Sequence, residues 1–469
     1  MRGGRLALAD ARGYKAFGAG RHCGAAPNSF KQEFPNSQGW RLDSTHSNPS
    51  PDEPGAPPAP KFTQLATLFG LFYFLQGIGD PTDGLLLQPL RSLLMERKES
   101  AATISTFLLF LELPWGIKPL YGLISDFVPL AGYRRKSYLV LASAVSAVAL
   151  FLLAAQPDSI DKVPLLLWLL PLAVSVAFSD VVIDALMIER GQPHGWTGQL
   201  QSLQWTALYG AAALAGWGGG YLSEHHLIRV GFLIVGIGSV VGLILSLLAH
   251  EDRSIAARAL RRGSKAELTA AWRMPVLRAA ALFLILWAFN PFSDTVLHVH
   301  MSQHLGFSEQ FFGETVTWSA LASMAGTLAY GAVRSRIKDF RLLLHAAIVL
   351  GIVSTIAYWA VRDEMSARAT SAAAGFATAL ATLVQLDLAA QVCPPELAGT
   401  VFAVLMSLSN ISLYVSRWLG GILYDRLRTA WGDQLAFDLL VALGGMTTAA
   451  CWLVIPGLTR QLRVHDSRT

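Results

Sequence analysis

Asp180 and Asp184 lie four residues apart in the apolar run AFSDVVIDALMIERG, which starts at Ala177. On a helix that spacing puts both carboxylates on one face. Ala173 and Ala177 continue the face with small side chains. Gln76, Asp80 and Asp83 form a second stripe of this kind, and Asn290, Asp294 and His298 a third. Asp387 with Gln391 is a weaker fourth. Glu112 and Arg417 stand alone among apolar residues, with Asn410 on the same helical face as Arg417. A carboxylate can accept two neighbouring N–H donors side by side, as it does from a guanidinium fork. Acids in apolar surroundings also serve as proton carriers, and an arginine there meets an anion or a fixed counter-charge. Plainer roles stand beside these. Asp180 can tie two helices together, Asp387 can meet water at a helix end, and Arg417 can sit in a permanent ion pair.

Other chemistries find little support. His300 and His304 share a helical face, but no H-E-x-x-H motif or clear carboxylate partner accompanies them. Cys23, Cys393 and Cys451 are too far apart to suggest a metal or disulfide motif. The run GIGSVVG at Gly236 has the wrong glycine spacing for a dinucleotide loop. No P-loop or G-x-S-x-G motif occurs, so neither an enzyme nor a bound cofactor is expected. The net charge of +5 and pI near 9.1 are accounted for by basic loops beside a membrane rather than by nucleic-acid binding.

The elements that carry these residues are apolar. The chain is 53% hydrophobic and 15% charged, with mean hydropathy +0.42, whereas soluble domains are about a quarter charged. Twelve stretches reach the roughly 20 residues that cross a bilayer as a helix: 64–90, 103–125, 137–155, 164–189, 200–222, 228–249, 277–300, 311–333, 341–361, 368–392, 399–423 and 435–456. Basic residues collect in alternate loops, at Arg134, Arg135 and Lys136, at Arg334, Arg336, Lys338 and Arg341, and between spans 6 and 7. By the positive-inside rule both termini are cytoplasmic, in the cell (inner) membrane. Residues 1–61 read as a disordered tail and linker, with six prolines between Pro49 and Pro60. The expected layout is a six-helix bundle over 62–249, a basic cytoplasmic loop over 250–276, a second bundle over 277–456 and a tail over 457–469. The row Ala212, Gly216 and Gly220 reads as a helix-packing face.

The halves echo one another. Gly198, Gly219, Gly220 and Glu224 align with Gly399, Gly420, Gly421 and Asp425, and GDPTDG at Gly79 with FNPFSD at Phe289. Between spans 2 and 3 stand Gly122, Asp126, Gly132, Arg134, Arg135 and Lys136. This resembles the G-x-L-x-D…G-R-[RK]-[RK] loop of the major facilitator superfamily, here two residues longer and with Tyr133 after the glycine. On that reading Gly122 lets span 2 pack closely, and Asp126 and the bases take part in gating.

The stretch WGIKPLYGLISDFVPLAGYRRKSYLVL, with AFSDVVIDALMIERG and TGQLQSLQW, resembles the folate–biopterin transporter family, a branch of that superfamily. The resemblance implies an all-α polytopic protein of two six-helix repeats that works as a secondary transporter, with spans 1, 4, 7 and 10 lining the cavity. Its substrate would be a folate, a pterin or S-adenosylmethionine, and its partners the bilayer and protons, with the protein acting as a monomer. Asp80, Asp83, Glu112, Asp180, Asp184, Asp294 and Arg417 are then the candidate pathway residues. An acidic cavity suits a pterin edge, whereas the glutamate tail of folate wants cations, Arg417 first. A facilitator for an unrelated solute (sugar, drug or peptide fragment), or a non-transporting sensor on the same fold, is the alternative.

Overall fold

Proline decides where the longest apolar runs stop being straight. Pro81 has no N–H to give and disfavours helical geometry at Asp80, whose ψ is 120°. Span 1 is therefore two helices, α1 (Phe62–Gly79) and α2 (Leu87–Glu96). Asp80 closes the break by accepting from Thr82 N–H at 2.8 Å and from the Thr82 hydroxyl at 2.6 Å. Span 2 is α3 (Ala101–Gly116) and α4 (Lys118–Phe127), bent by 40° between Pro114 and Pro119. The chain then runs through α5 (Lys136–Ala154), α6 (Lys162–Gly191), α7 (Thr197–Glu224) and α8 (Ile228–Leu248). Span 7 repeats the break of span 1: α9 (Pro275–Ala288) ends before Asn290–Pro291, and α10 (Asp294–Val299) follows, running into a π-turn over His300–His304. There the Asn290 side chain accepts from Phe292 N–H at 3.0 Å. The remaining helices are α11 (Glu309–Arg336), α12 (Phe340–Ile356), α13 (Glu364–Val392), α14 (Ala398–Trp431), α15 (Asp433–Ala449) and α16 (Ile455–Asp466).

This computed structural model describes residues 61–156, 160–191, 194, 196–249, 251, 273–337, 339–393 and 398–466. The tail over 1–60 and most of the basic 250–276 loop lie outside the described residues. Among the described residues eight helices are long and apolar enough to cross a membrane, and the bent α3–α4 pair makes a ninth. Spans 5, 7 and 8 are helical where expected but do not meet that measure. α7 and α11 are rich in glycine and alanine, and the break shortens α9. The continuous helices expected at 64–90 and 277–300 are thus corrected to broken ones.

Large apolar side chains point outward along the bundle, as at Leu141 (50% exposed), Val148 (59%) and Ile237 (58%). With no water in the hydrocarbon, lipid is the medium that suits such a surface.

The first six spans meet the last six along two seams, α7 on α11 and α3 on α14. The first is glycine on glycine: a Cβ at Gly313 would lie 2.7 Å from the Gly220 Cα, so backbones touch there. In the second, a Cβ at Gly421 would lie 2.7 Å from the Ala101 carbonyl oxygen. An acid ends each seam. Glu224, at the close of α7, accepts from Glu309 N–H at 2.9 Å and Gln310 N–H at 3.3 Å. Asp425, its counterpart in α14, accepts from Ala102 N–H at 2.7 Å and Ala101 N–H at 3.3 Å. Each half thus caps a helix start of the other. Both caps lie at the far end, opposite the Arg134–Arg135 loop.

Candidate functional site

The two helix breaks bring charges from both halves together. Arg417 in α14 donates to Glu112 in α3 at 2.8 Å, and its other terminal nitrogen lies 3.6 Å from Asp294, the first residue of α10. Asp83, in the break of span 1, lies within electrostatic reach of Arg417, Asp294 and Arg91. Glu112 is buried and the Arg417 side chain is 22% exposed, whereas that of Asp294 is 59% exposed. Arg417 therefore has one tight, enclosed partner and one loose, accessible partner.

Arg91 joins this cluster although it lies just past the apolar stretch 64–90. It lies in α2, buried, with its Nε lacking a hydrogen-bond partner, and electrostatically it faces Asp294, Asp83 and Glu112. The signal that could have found it is its place one turn beyond Gln88 in an apolar helix.

Asp180 and Asp184 form a separate group within the first half. Asp180 accepts from Gln76 at 2.6 Å and pairs with Lys118 at 2.5 Å. Asp184 accepts from the Tyr73 hydroxyl at 2.6 Å and from Gln204 at 3.1 Å. The two acids tie α6 to α1, α4 and α7, so they do hold helices together, and they also group polar side chains in one place. Lys118, near the end of span 2, turns onto Asp180 and over the Trp115 ring at 4.3 Å. Asp80 is spent on its own turn with Thr82. Asp387 bonds Tyr330 at 2.9 Å and Gln391 at 2.9 Å.

At the loop end, Asp126 accepts from Arg134 at 2.9 Å and from Arg135 at 2.6 Å. Arg135, which is buried, also reaches Glu189 at 2.9 Å and the Ser125 hydroxyl at 2.5 Å. Glu251 caps the start of α5 through the N–H groups of Arg134, Arg135 and Lys136. Gly132 turns the chain with φ 83°, a left-handed geometry that glycine takes freely. Gly122 makes no close approach: a Cβ there would sit 3.7 Å from Val181. The side-chain partners of Asp126, Arg134 and Arg135 named here belong to the first half, and Glu251 comes from the start of the loop that follows it. No group of three metal-ligating side chains converges among the described residues.

The BT1 family model matches residues 83–467. A folate-biopterin transporter of Synechocystis sp. is 30% identical over 362 residues, covering 74% of this chain and 72% of that protein. A probable folate-biopterin transporter of Arabidopsis thaliana is 25% identical over 455 residues, covering 79% and 92%. Among solved structures, a bacterial homologue of the human lysosomal transporter Spinster, inward-facing and unoccupied, matches with TM-score 0.65 at 15% identity, over 85% of this chain and 98% of that one. A D-xylose–proton symporter matches with TM-score 0.64 at 14% identity, over 84% and 98%. The fold is that of the major facilitators. With the family model spanning most of its length and a relative at 30% identity, this chain belongs to the BT1 family.

Proposed function

We propose that this protein carries folate or a related pterin across a membrane by rocking its two halves about the Arg417 cluster. The observation that carries the reading is the unequal hold on Arg417, tight on Glu112 and loose on Asp294. A substrate carboxylate can take the place of Asp294 on Arg417, and Arg91 offers a second guanidinium beside it. The pterin ring, with adjacent N–H and amino donors, suits the carboxylates of Asp180 and Asp184. The names of the relatives, folate-biopterin transporters, point to the same substrates. Displacing Asp294 leaves an acid to neutralise, which a co-transported proton would do. On this reading both termini are cytoplasmic, which the basic loops on that side support, and the protein works as a monomer in the cell membrane.

The test is uptake of labelled folic acid, a free pterin and S-adenosylmethionine in cells lacking their own carriers. Saturable folic acid uptake, lost in Arg417→Gln, is the expected result. Loss of pterin uptake in Asp184→Asn would assign the ring end. Uptake of none of the three by folded protein would overturn the reading in favour of an unrelated solute.

A further inference from the structure

Glu309 opens α11 at the far end and ties the two halves together. Its carboxylate accepts from the Ser92 hydroxyl at 2.5 Å and from Gln88 at 3.1 Å, both in α2 of the first half. It accepts from Ser302 at 3.0 Å and meets His298 Nε2 at 2.8 Å within its own half. Its backbone N–H is held by Glu224 of the first half. His298 is fully buried, its ring stacked on Phe312 at 4.0 Å, and its Nδ1 has no hydrogen-bond partner. With Nε2–H given to Glu309, Nδ1 is an enclosed, unoccupied proton acceptor.

Resting on the transport reading above, we propose that His298 and Glu309 form a proton-binding site that couples proton uptake to closure of the far end. Closure brings two carboxylates, Glu224 and Glu309, to one helix start, whose dipole offsets only about half a charge. A proton on His298 turns the half-buried Glu309 charge into a neutral pair without taking the carboxylate from Ser92 and Gln88. When the far end opens, Glu224, Ser92 and Gln88 leave with the first half and water takes their place at Glu309. The extra proton is then no longer needed. By linkage, the closed form binds one more proton than the open form, so acidity favours closure.

Among the described residues the seam built on Asp425 shows no such pair: its acid bonds the backbone of Ala101 and Ala102. Other charged groups near His298 are engaged elsewhere. On its own element, Asp294 faces Arg417, and His300 stacks on Phe437 and on His304. His304 lies 3.9 Å from Asp433 of α15, which Arg428 of α14 holds at 2.9 Å. Arg362 faces His300 electrostatically, and Arg368 of α13 pairs with Glu314 at 3.1 Å. In the first half, Glu96 pairs with His226 at 2.8 Å.

The test is the distance across the far end, read by spin labels at Lys98→Cys and Gln303→Cys in purified full-length protein whose native cysteines are replaced by alanine. Between pH 8 and pH 5.5, the range in which an imidazole ordinarily titrates, the ratio of closed to open protein should rise by about fivefold or more. His298→Gln, which keeps a donor for Glu309, should flatten that response, and so should Glu309→Gln. His304→Gln should leave it intact. A flat response without these changes, or an undiminished one in folded His298→Gln, overturns the proposal. Folic acid and pterin uptake by the same protein is measured in parallel. Intact uptake with a flat response sinks the proton site alone. A titrating far end in a protein that carries neither compound sinks the transport reading alone.

Discussion

Arg417 touches one acid at 2.8 Å and another at 3.6 Å, and the difference makes its two partners separable by mutation. Arg417→Gln leaves Glu112 buried without its cation, a loss of about 3–5 kcal/mol for a broken buried pair. A clearly lower melting temperature in detergent is expected, together with loss of folic acid uptake. Asp294→Asn removes a mostly exposed partner, worth about 1 kcal/mol or less. Its melting temperature should barely move while the KM for folic acid changes. Equal melting temperatures for the two variants would contradict the unequal hold. At this scale much of the cluster was legible, because an acid or an arginine inside an apolar run needs a reason to be there. Arg91 was not legible, since it lies one residue beyond the apolar stretch 64–90 and only the break at Pro81 starts the separate helix that buries it. The pairing of Lys118 with Asp180 was hidden too, because it depends on how α4 leans against α6 after the bend at Pro114 and Pro119.

The elements show where length misleads. The apolar runs over 64–90 and 277–300 are long enough for unbroken helices, and hydropathy alone draws them so. The backbone obeys Pro81 and Pro291 instead, and the side chains of Asp80 and Asn290 bond the N–H groups that the breaks expose. GDPTDG and FNPFSD could be seen to echo one another, but an echo does not say that both are turns. The breaks matter because they set Asp83 and Asp294 against Arg417. Pro81→Ala, which lets the helix run on, should move Asp83 off that position. Folic acid uptake should fall by about tenfold or more, with stability changed little. Unchanged uptake would show that the break is only a packing feature. α7 and α11 mislead in the other direction: glycine and alanine lower their apolarity while letting their backbones touch. Gly313→Val should overpack that contact at a cost of about 1–3 kcal/mol, seen as a lower melting temperature.

Across the whole molecule, the described polar contacts between halves run from the Arg417–Glu112 pair to the far end, while the Asp126, Arg134 and Arg135 side chains bond within the first half. Glu224→Gln with Asp425→Asn weakens both caps, each worth about 0.3–1 kcal/mol near a helix start. The spin-label distance across the far end should then broaden toward longer values, and more so than in either single variant. An unmoved distance would mean that the glycine seams alone hold that end shut. The reciprocity of these caps has a consequence of its own. Each half offers an acid from its fifth span and receives one at the start of its second span, which is the rule of an isologous dimer interface. Two identical six-helix units would bond in the same way, one residue type serving both contacts at once. In such a pair one changed codon would cut both bonds. Here Glu224 and Asp425 are encoded apart, so each bond can be altered while the other is kept. The two bonds already differ in their surroundings: the helix start that Glu224 caps carries Glu309 with His298 beside it, whereas the start that Asp425 caps carries Ala101 and Ala102.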